Sequence, residues 1–115
     1  MSWLYRLKSK LSRRSLRFFW QRLTRGWDDS ETWSLDHSLA KLITPRLKRY
    51  KEVNCGYPSS MSWEEWNEIL DEMIFGFEWF QSDARFDVNS EYDANYIRAQ
   101  KGIDLFAKHY FHLWW

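Results

Sequence analysis

Residues 61–80 most strongly constrain the fold, because a helix-start signal is followed by an apolar pattern of helical spacing. Ser62-Trp63-Glu64-Glu65 is a capping box, and Met61 and Trp66 are placed as the hydrophobic staple beside it. We therefore predict a helix over residues 63–81 that buries one face. Apolar residues that recur every three or four positions define this face: Trp66, Ile69, Leu70, Met73, Ile74, Phe77 and Phe80.

Similar spacing predicts three further helices, over residues 1–25, 29–53 and 91–114. The first is basic and amphipathic and ends at Gly26, a residue typical of helix C-termini. Pro45 lies inside the second helix and is expected to kink or break it. No segment shows the sustained alternation of a strand. The sequence thus predicts an all-α fold, a compact single-domain bundle of about four helices spanning residues 1–115.

Charge is distributed unevenly along the chain. Residues 1–52 contain 13 Lys/Arg and 5 Asp/Glu, whereas residues 53–115 contain 4 and 11, although the net charge is only +1. Two interpretations follow: the halves pack on each other with complementary charge, or the basic half binds an anion such as a nucleotide, a nucleic acid or an acidic lipid.

Aromatic residues make up 20% of the chain, including nine Trp, too many for all of them to be buried in so small a protein. Two of them lie in RGWDDSETWSLD, residues 25–36. Arginine binds phosphate with two parallel hydrogen bonds and stacks on rings, and indoles stack on bases. We predict a ligand site in which Arg25 and Arg46 bind phosphate while Trp27 and Trp33 stack on a flat ring.

Two alternatives explain the basic, aromatic first half without a nucleotide. The amphipathic helix could pack its apolar side and expose its basic side to water. Alternatively, it could bind a membrane surface, as basic helices rich in Trp and Leu do. No apolar run is long enough to span a bilayer, so stable membrane insertion is not expected.

Catalytic and metal-binding patterns are weak. Cys55 has no sequence-local base, and no glycine-rich phosphate loop is present. His109 and His112 provide only two of the three or four ligands that zinc requires. We therefore expect no enzyme activity, no metal and no cofactor. The single cysteine excludes an intramolecular disulfide and fits a reducing cytoplasm, and no signal peptide is recognisable.

Four segments resemble a group of small phage-encoded proteins: RGWDDSETWSLD (25–36), PRLKRYKE (45–52), GYP (56–58) and MSWEEWNEIL (61–70). The shared pattern is Arg-Gly-aromatic-Ser/Asp-Asp, then Trp-x-Leu/Phe-Asp, a Leu-rich helix, a Gly-Tyr-Pro turn and a Trp-containing helix start. The resemblance covers residues 25–80 and implies an accessory protein of a tailed phage. Because the group has no settled activity, it implies no catalytic residues.

The predicted function is that of a non-enzymatic phage accessory protein in the host bacterial cytoplasm, acting in counter-defence by binding a nucleotide-like ligand. The alternatives are an inhibitor that binds a host defence protein directly, and a self-associating virion or structural protein. The surplus of aromatic residues also predicts a homo-oligomer. Sequence-specific DNA binding is not expected.

Overall fold

The computed structural model describes residues 13–114, and in this range it contains helices and short 3-10 turns but no strand. The all-α prediction is thereby confirmed for these residues. The part of the first predicted helix that falls on residues 1–12 lies outside the described range, as does Trp115. The four α-helices are α1 (Arg13–Arg25), α2 (Leu35–Val53), α3 (Trp63–Gln81) and α4 (Tyr92–Lys108).

The chain forms two compact units, which we call unit 1, ending at Leu35, and unit 2, beginning at Asp36. The prediction of one domain for the whole chain stays a prediction. Within residues 13–114, no helix has the length and apolar character needed to cross a bilayer.

From residue 13 onward, unit 1 contains α1 and the turn that follows it. Gly26 adopts a φ of 85°, which L-residues with a side chain rarely adopt, and its N–H donates to the carbonyl of Arg22 at 3.0 Å. The predicted helix end at Gly26 is confirmed. A 3-10 turn, Asp29–Thr32, comes next, so the following α-helix begins at Leu35 rather than at residue 29.

Helix α2 runs without interruption through Pro45. Proline lacks the N–H that would bond the carbonyl of Lys41, yet the preceding residue adds a side-chain bond, since Thr44 Oγ1 donates to the carbonyl of Ala40 at 2.6 Å. Pro45 therefore lies within one helix and does not separate two. The kink predicted at this position stays a prediction.

The core of unit 2 lies mainly on α3. The helix begins at Trp63 as predicted, and the Ser62 hydroxyl accepts a hydrogen bond from the Glu65 N–H at 3.2 Å, which is one of the two hydrogen bonds of the predicted capping box. Met61 packs against the core next to this start, as expected of a hydrophobic staple. The buried apolar cluster comprises Ala40, Leu47, Trp66, Leu70, Met73 and Phe77.

Helices α3 and α4 approach each other closely at two glycines. A Cβ atom built on Gly102 would lie 2.1 Å from the carbonyl oxygen of Glu72, and one built on Gly76 would lie 2.6 Å from that of Ala99. Arg98 then bridges the same helices, because its Nε and Nη2 donate to the two Glu72 carboxylate oxygens at 3.0 and 2.8 Å. The two backbones are thus in direct contact, with a bidentate ion pair beside them.

The last predicted helix ends earlier than expected. Helix α4 stops at Lys108, and a 3-10 turn, Tyr110–His112, replaces its final residues. Tyr50 of α2 lies at hydrogen-bond distance from this segment, where its single hydroxyl proton is shared between the carbonyls of His112 and Trp114, both at 3.3 Å. The C-terminal segment is therefore attached to α2.

Candidate functional site

The segment that follows α1 folds into a turn held by its own acidic side chains. Asp28 is the N-cap residue of the 3-10 turn, where its Oδ1 accepts a hydrogen bond from the Ser30 N–H at 2.8 Å. In return, the Glu31 carboxylate accepts from the Asp28 N–H at 2.7 Å. Asp28 and Glu31 therefore form a capping box. We call residues 28–33 the acidic turn.

Asp28 also joins the acidic turn to α1. Its Oδ2 accepts a hydrogen bond from Arg22 Nη1 at 2.5 Å, and the residue is only 4% exposed. Hydrogen bonds from Ser30, with those from Arg22, hold the pKa of Asp28 below its ordinary value, although burial acts in the opposite direction. A buried carboxylate with these partners stays ionised at neutral pH.

Asp29 makes a second connection to the same helix. Its Oδ2 accepts a hydrogen bond from Gln21 Nε2 at 2.8 Å, and its backbone N–H donates to Gln21 Oε1 at 2.9 Å. The side-chain amide of Gln21 therefore makes two hydrogen bonds with Asp29. Its Oδ1 accepts from Arg25 Nη2 at 2.7 Å. These bonds, that from Gln21 foremost, lower the pKa of Asp29. Two arginines of α1, Arg22 and Arg25, are thereby paired with carboxylates.

Each indole of the motif lies beneath a guanidinium. The Arg25 Cζ is 3.8 Å from the ring centroid of Trp27, and the Arg14 Cζ is 4.1 Å from that of Trp33. Phe18 packs edge-on against Trp33, with centroids 5.5 Å apart. These are cation–π and T-shaped contacts, in which a ring face attracts positive charge.

The four predicted ligand-binding residues fall in different units. Arg25, Trp27 and Trp33 belong to unit 1, and both indoles are accessible, Trp27 being 45% and Trp33 60% exposed. Arg46 belongs to unit 2, where its Nη1 donates to the carbonyl of Leu42 at 2.8 Å. The Arg25 guanidinium already contacts Asp29 and the Trp27 carbonyl, so it has less capacity for phosphate than we expected.

Arg14 was not among the predicted site residues. Within the described residues no carboxylate pairs with its guanidinium, which lies only over the rings of Trp33 and Phe18. Its position could have been recognised from spacing, because residues 14, 18, 21, 22 and 25 share one side of an α-helix. This side carries every contact between α1 and the acidic turn described above.

Unit 2 contains a separate cleft of about 370 Å³. It places the exposed Cys55 thiol and the His112 imidazole in one depression, a proximity that the sequence did not reveal. Within the described chain no hydrogen bond joins the two side chains, and a nucleophilic cysteine requires a base within such reach. The cleft is lined by Cys55, Gly56, Tyr57, Pro58, Ser59, His112 and Trp114.

The two C-terminal histidines contact each other, with their Nδ1 atoms 3.2 Å apart. Burial is the main cause that lowers the pKa of His109, and the nearby His112 and Lys108 act in the same direction. Within residues 13–114 no group of three or more His, Cys, Asp or Glu side chains is arranged to hold a metal ion. The pair is therefore best described as one imidazole–imidazole hydrogen bond beside Trp66.

The comparisons with known proteins found no match, so the resemblance to small phage proteins stays a prediction. No protein-family model matches the chain, and no curated protein or solved structure is significantly similar to it.

Proposed function

We propose that this chain is a non-enzymatic accessory protein of a tailed phage that captures a phosphate-bearing, nucleotide-like ligand on unit 1. The proposal combines the resemblance over residues 25–80 with the cationic, aromatic surface between α1 and the acidic turn. Capture of a nucleotide signal in the host cytoplasm is a counter-defence activity that needs no catalytic group.

The observation that carries the proposal is the pair formed by Arg14 and Trp33. A guanidinium without a carboxylate partner among the described residues lies 4.1 Å from the centroid of an indole that is 60% exposed. Such a pair places a cation that can bind phosphate beside a flat apolar surface on which a base can stack. Arg17 lies close to the same cluster, with its Cζ 5.5 Å from the Phe18 centroid, and adds a second cation.

Arg25 and Trp27 have a supporting role in this proposal. Asp29 fixes the Arg25 guanidinium, which in turn covers the Trp27 ring, so this pair positions the acidic turn and leaves Arg14 to bind phosphate. Arg46 was also predicted to bind phosphate, but it lies in unit 2 and is therefore tested separately.

Calorimetry with a panel of mono-, di- and cyclic nucleotides tests the proposal. We expect heat with at least one nucleotide, and a loss of about tenfold or more in affinity for Arg14→Gln and for Trp33→Ala, since stacking is worth roughly 1–3 kcal/mol per base. Arg49→Gln is the matched control, because Arg49 is exposed and pairs with Glu52 in unit 2. Absence of heat and of any melting-temperature shift across the panel would exclude nucleotide capture.

A second candidate is an inhibitor that binds a host protein. It is favoured by exposed aromatic residues at the end of unit 2, Tyr110, Phe111 and Trp114, because exposed rings are common anchors of protein interfaces. A pull-down from infected cells that returns one stoichiometric host protein, unaffected by nucleotides and weakened by Phe111→Ala, would support this candidate. Detection of the chain in purified virions would instead support the self-associating structural role.

A further inference from the structure

The side of α1 that faces away from the acidic turn carries four large apolar side chains. Leu16, Phe19, Trp20 and Leu23 follow the spacing i, i+3, i+4, i+7 and therefore form one stripe along the helix. They are between 52% and 65% exposed, and α1 has no buried residue. We call these four residues the apolar face of α1.

The contacts with the acidic turn determine which side of α1 is covered within unit 1. Arg22 and Arg25 are paired with Asp28 and Asp29, and Arg14 is covered by Trp33, all on the side that also carries Gln21. At 100° per residue, that side and the apolar face lie on opposite sides of the helix. The turn thus covers one side of α1 and leaves its apolar side without a partner among the described residues of unit 1.

Charge indicates what covers this face. Helix α1 contains five arginines and no acidic residue, and the first acidic residue of the whole chain is Asp28. Residues 1–27 therefore carry eight basic side chains and no acidic one. Arg13 and Arg17 are the cations of α1 at the edge of the apolar face, at 20° and 60° from Trp20 on a helical wheel. An anionic surface would be complementary to both features.

A second copy of the chain fits less well as the occupant. Two α1 helices placed face to face would bring Arg13 and Arg17 of both copies together, four cations with no acidic residue of α1 between them, and like charges at close range are repulsive. A helix of 13 residues is about 20 Å long, too short to span a bilayer, but sufficient to lie in its surface.

We propose that α1 docks on an anionic lipid bilayer, with Leu16, Phe19, Trp20 and Leu23 inserted at the headgroup boundary and Arg13 and Arg17 at the phosphate level. This arrangement matches the pattern of interfacial helices, which place Trp, Phe and Leu on one face and basic residues beside it. The inference goes beyond nucleotide capture and does not depend on it, because the Arg14–Trp33 pair lies on the other side of the helix.

Co-sedimentation of the full chain with vesicles tests this proposal. The probes are vesicles of phosphatidylcholine alone and vesicles with about one third phosphatidylglycerol, each at low and at high salt. We expect binding to the anionic vesicles that weakens as salt increases, and little binding to the neutral ones. Equal binding to both, or binding to neither, would overturn the proposal.

Substitutions locate the contact. Leu16→Ser with Trp20→Ser should reduce the partition to anionic vesicles by about tenfold or more, and Arg13→Gln with Arg17→Gln should weaken its salt dependence. Phe111→Ser is the control, since Phe111 is a large apolar residue that is even more exposed, at 86%, but lies in unit 2. Unchanged partition of both double variants, or partition lost through Phe111→Ser alone, would contradict the assignment.

Two further measurements separate this proposal from its competitors. The first is sedimentation equilibrium without lipid. If it shows a dimer that dissociates in the Leu16→Ser, Trp20→Ser variant, the apolar face of α1 binds a second copy of the chain and the bilayer proposal is overturned. Arg14→Gln should lose nucleotide binding but keep vesicle binding. Nucleotide binding without vesicle binding would overturn the bilayer proposal alone, whereas the converse would overturn nucleotide capture alone.

Discussion

At the scale of single residues, Asp28 and Asp29 organise unit 1. Together they accept hydrogen bonds from Arg22, Gln21 and Arg25, three side chains of one helix. Ionised acceptors make stronger hydrogen bonds than neutral ones, and such bonds hold best where water is excluded. The two adjacent carboxylates, rather than an apolar core, connect the acidic turn to α1.

Acid should therefore release the acidic turn. Both carboxylates have a pKa below the ordinary value of 3.8, so their contribution to folding is fully present above pH 3.8 and is lost as pH falls through the lowered pKa values. Carbon-detected NMR of the side-chain carboxyls between pH 7 and pH 2 measures both midpoints. Arg22→Gln should raise the midpoint of Asp28 more than that of Asp29, since Arg22 bonds only Asp28. A midpoint of Asp28 at or above 3.8 in the unsubstituted chain would contradict this assignment.

His109 should make the stability of unit 2 sensitive to pH in a higher range. Because burial lowers its pKa, the folded state favours the neutral imidazole, and the unfolded chain binds a proton more readily. The contribution is present above the unfolded pKa of about 6.5 and decreases as pH falls below it, until the lowered pKa is passed. Urea unfolding at pH 7.5 and 5 should show this loss, and His109→Gln should reduce the difference. An equal pH dependence in both proteins would rule out this role.

At the scale of elements, helical spacing predicted the existence of all four helices but not all of their ends or faces. Helix α3 is the best case, since capping and periodicity agree over its length. Trp79 was missed because it lies outside the predicted stripe, and it is buried among Phe80, Tyr92 and Tyr96. Such burial depends on contacts with α4 that no local pattern contains.

The crossing of α3 and α4 should not accept an alanine. An alanine ordinarily stabilises a helix relative to glycine by up to about 1 kcal/mol. At Gly102, however, its methyl group would lie 2.1 Å from a backbone carbonyl, so Gly102→Ala should destabilise the protein by about 1–3 kcal/mol or more through overpacking. Urea unfolding measures this effect. Gly56→Ala is the control, because the nearest atom to its new methyl group is 3.9 Å away. A Gly102→Ala variant as stable as the parent would contradict the close approach.

At the scale of the whole molecule, the opposite charges of the two halves of the sequence meet partly inside unit 2. Lys48 pairs with Glu78, and Lys51 Nζ lies 2.5 Å from Asp71 Oδ1, so cations of the basic half contact acids of the acidic half. These pairs agree with the interpretation that the halves have complementary charge. The basic residues of α1 are different, because the acidic turn beside them neutralises only two.

The two units should differ in local stability. The only buried residue of α1 and the acidic turn is Asp28, whereas Trp66, Leu70 and Met73 of α3 are fully buried. Amide hydrogen exchange measured by mass spectrometry should therefore be faster in peptides from residues 13–33 than in peptides from residues 63–81. Equal protection of the two regions would show that unit 1 is stabilised by more than its own contacts. Added anionic vesicles should slow exchange in residues 13–25 if α1 docks on them.

The candidate site could be predicted only in part from the sequence. The number of aromatic residues predicted that some rings lie on the surface, and Trp27 and Trp33 are among those that do. The pairing of Arg25 with Asp29 could not be predicted from the sequence, because it depends on the chain reversal at Gly26 that brings the acidic turn back onto α1. Helical spacing places Arg14 on the same side of α1 as Arg25, but its contact with Trp33, 19 positions later, depends on the same chain reversal.

The backbone contact at Gly76 and Gly102 also bears on how this chain can diverge. Most surface positions, and core positions that keep their volume, can change over long descent without altering the helix crossing. These two cannot gain even one carbon without displacing a carbonyl. In remote descendants of the same ancestral gene, a pair of glycines 26 residues apart on consecutive helices should therefore persist as a heritable signature after most other identities have been lost.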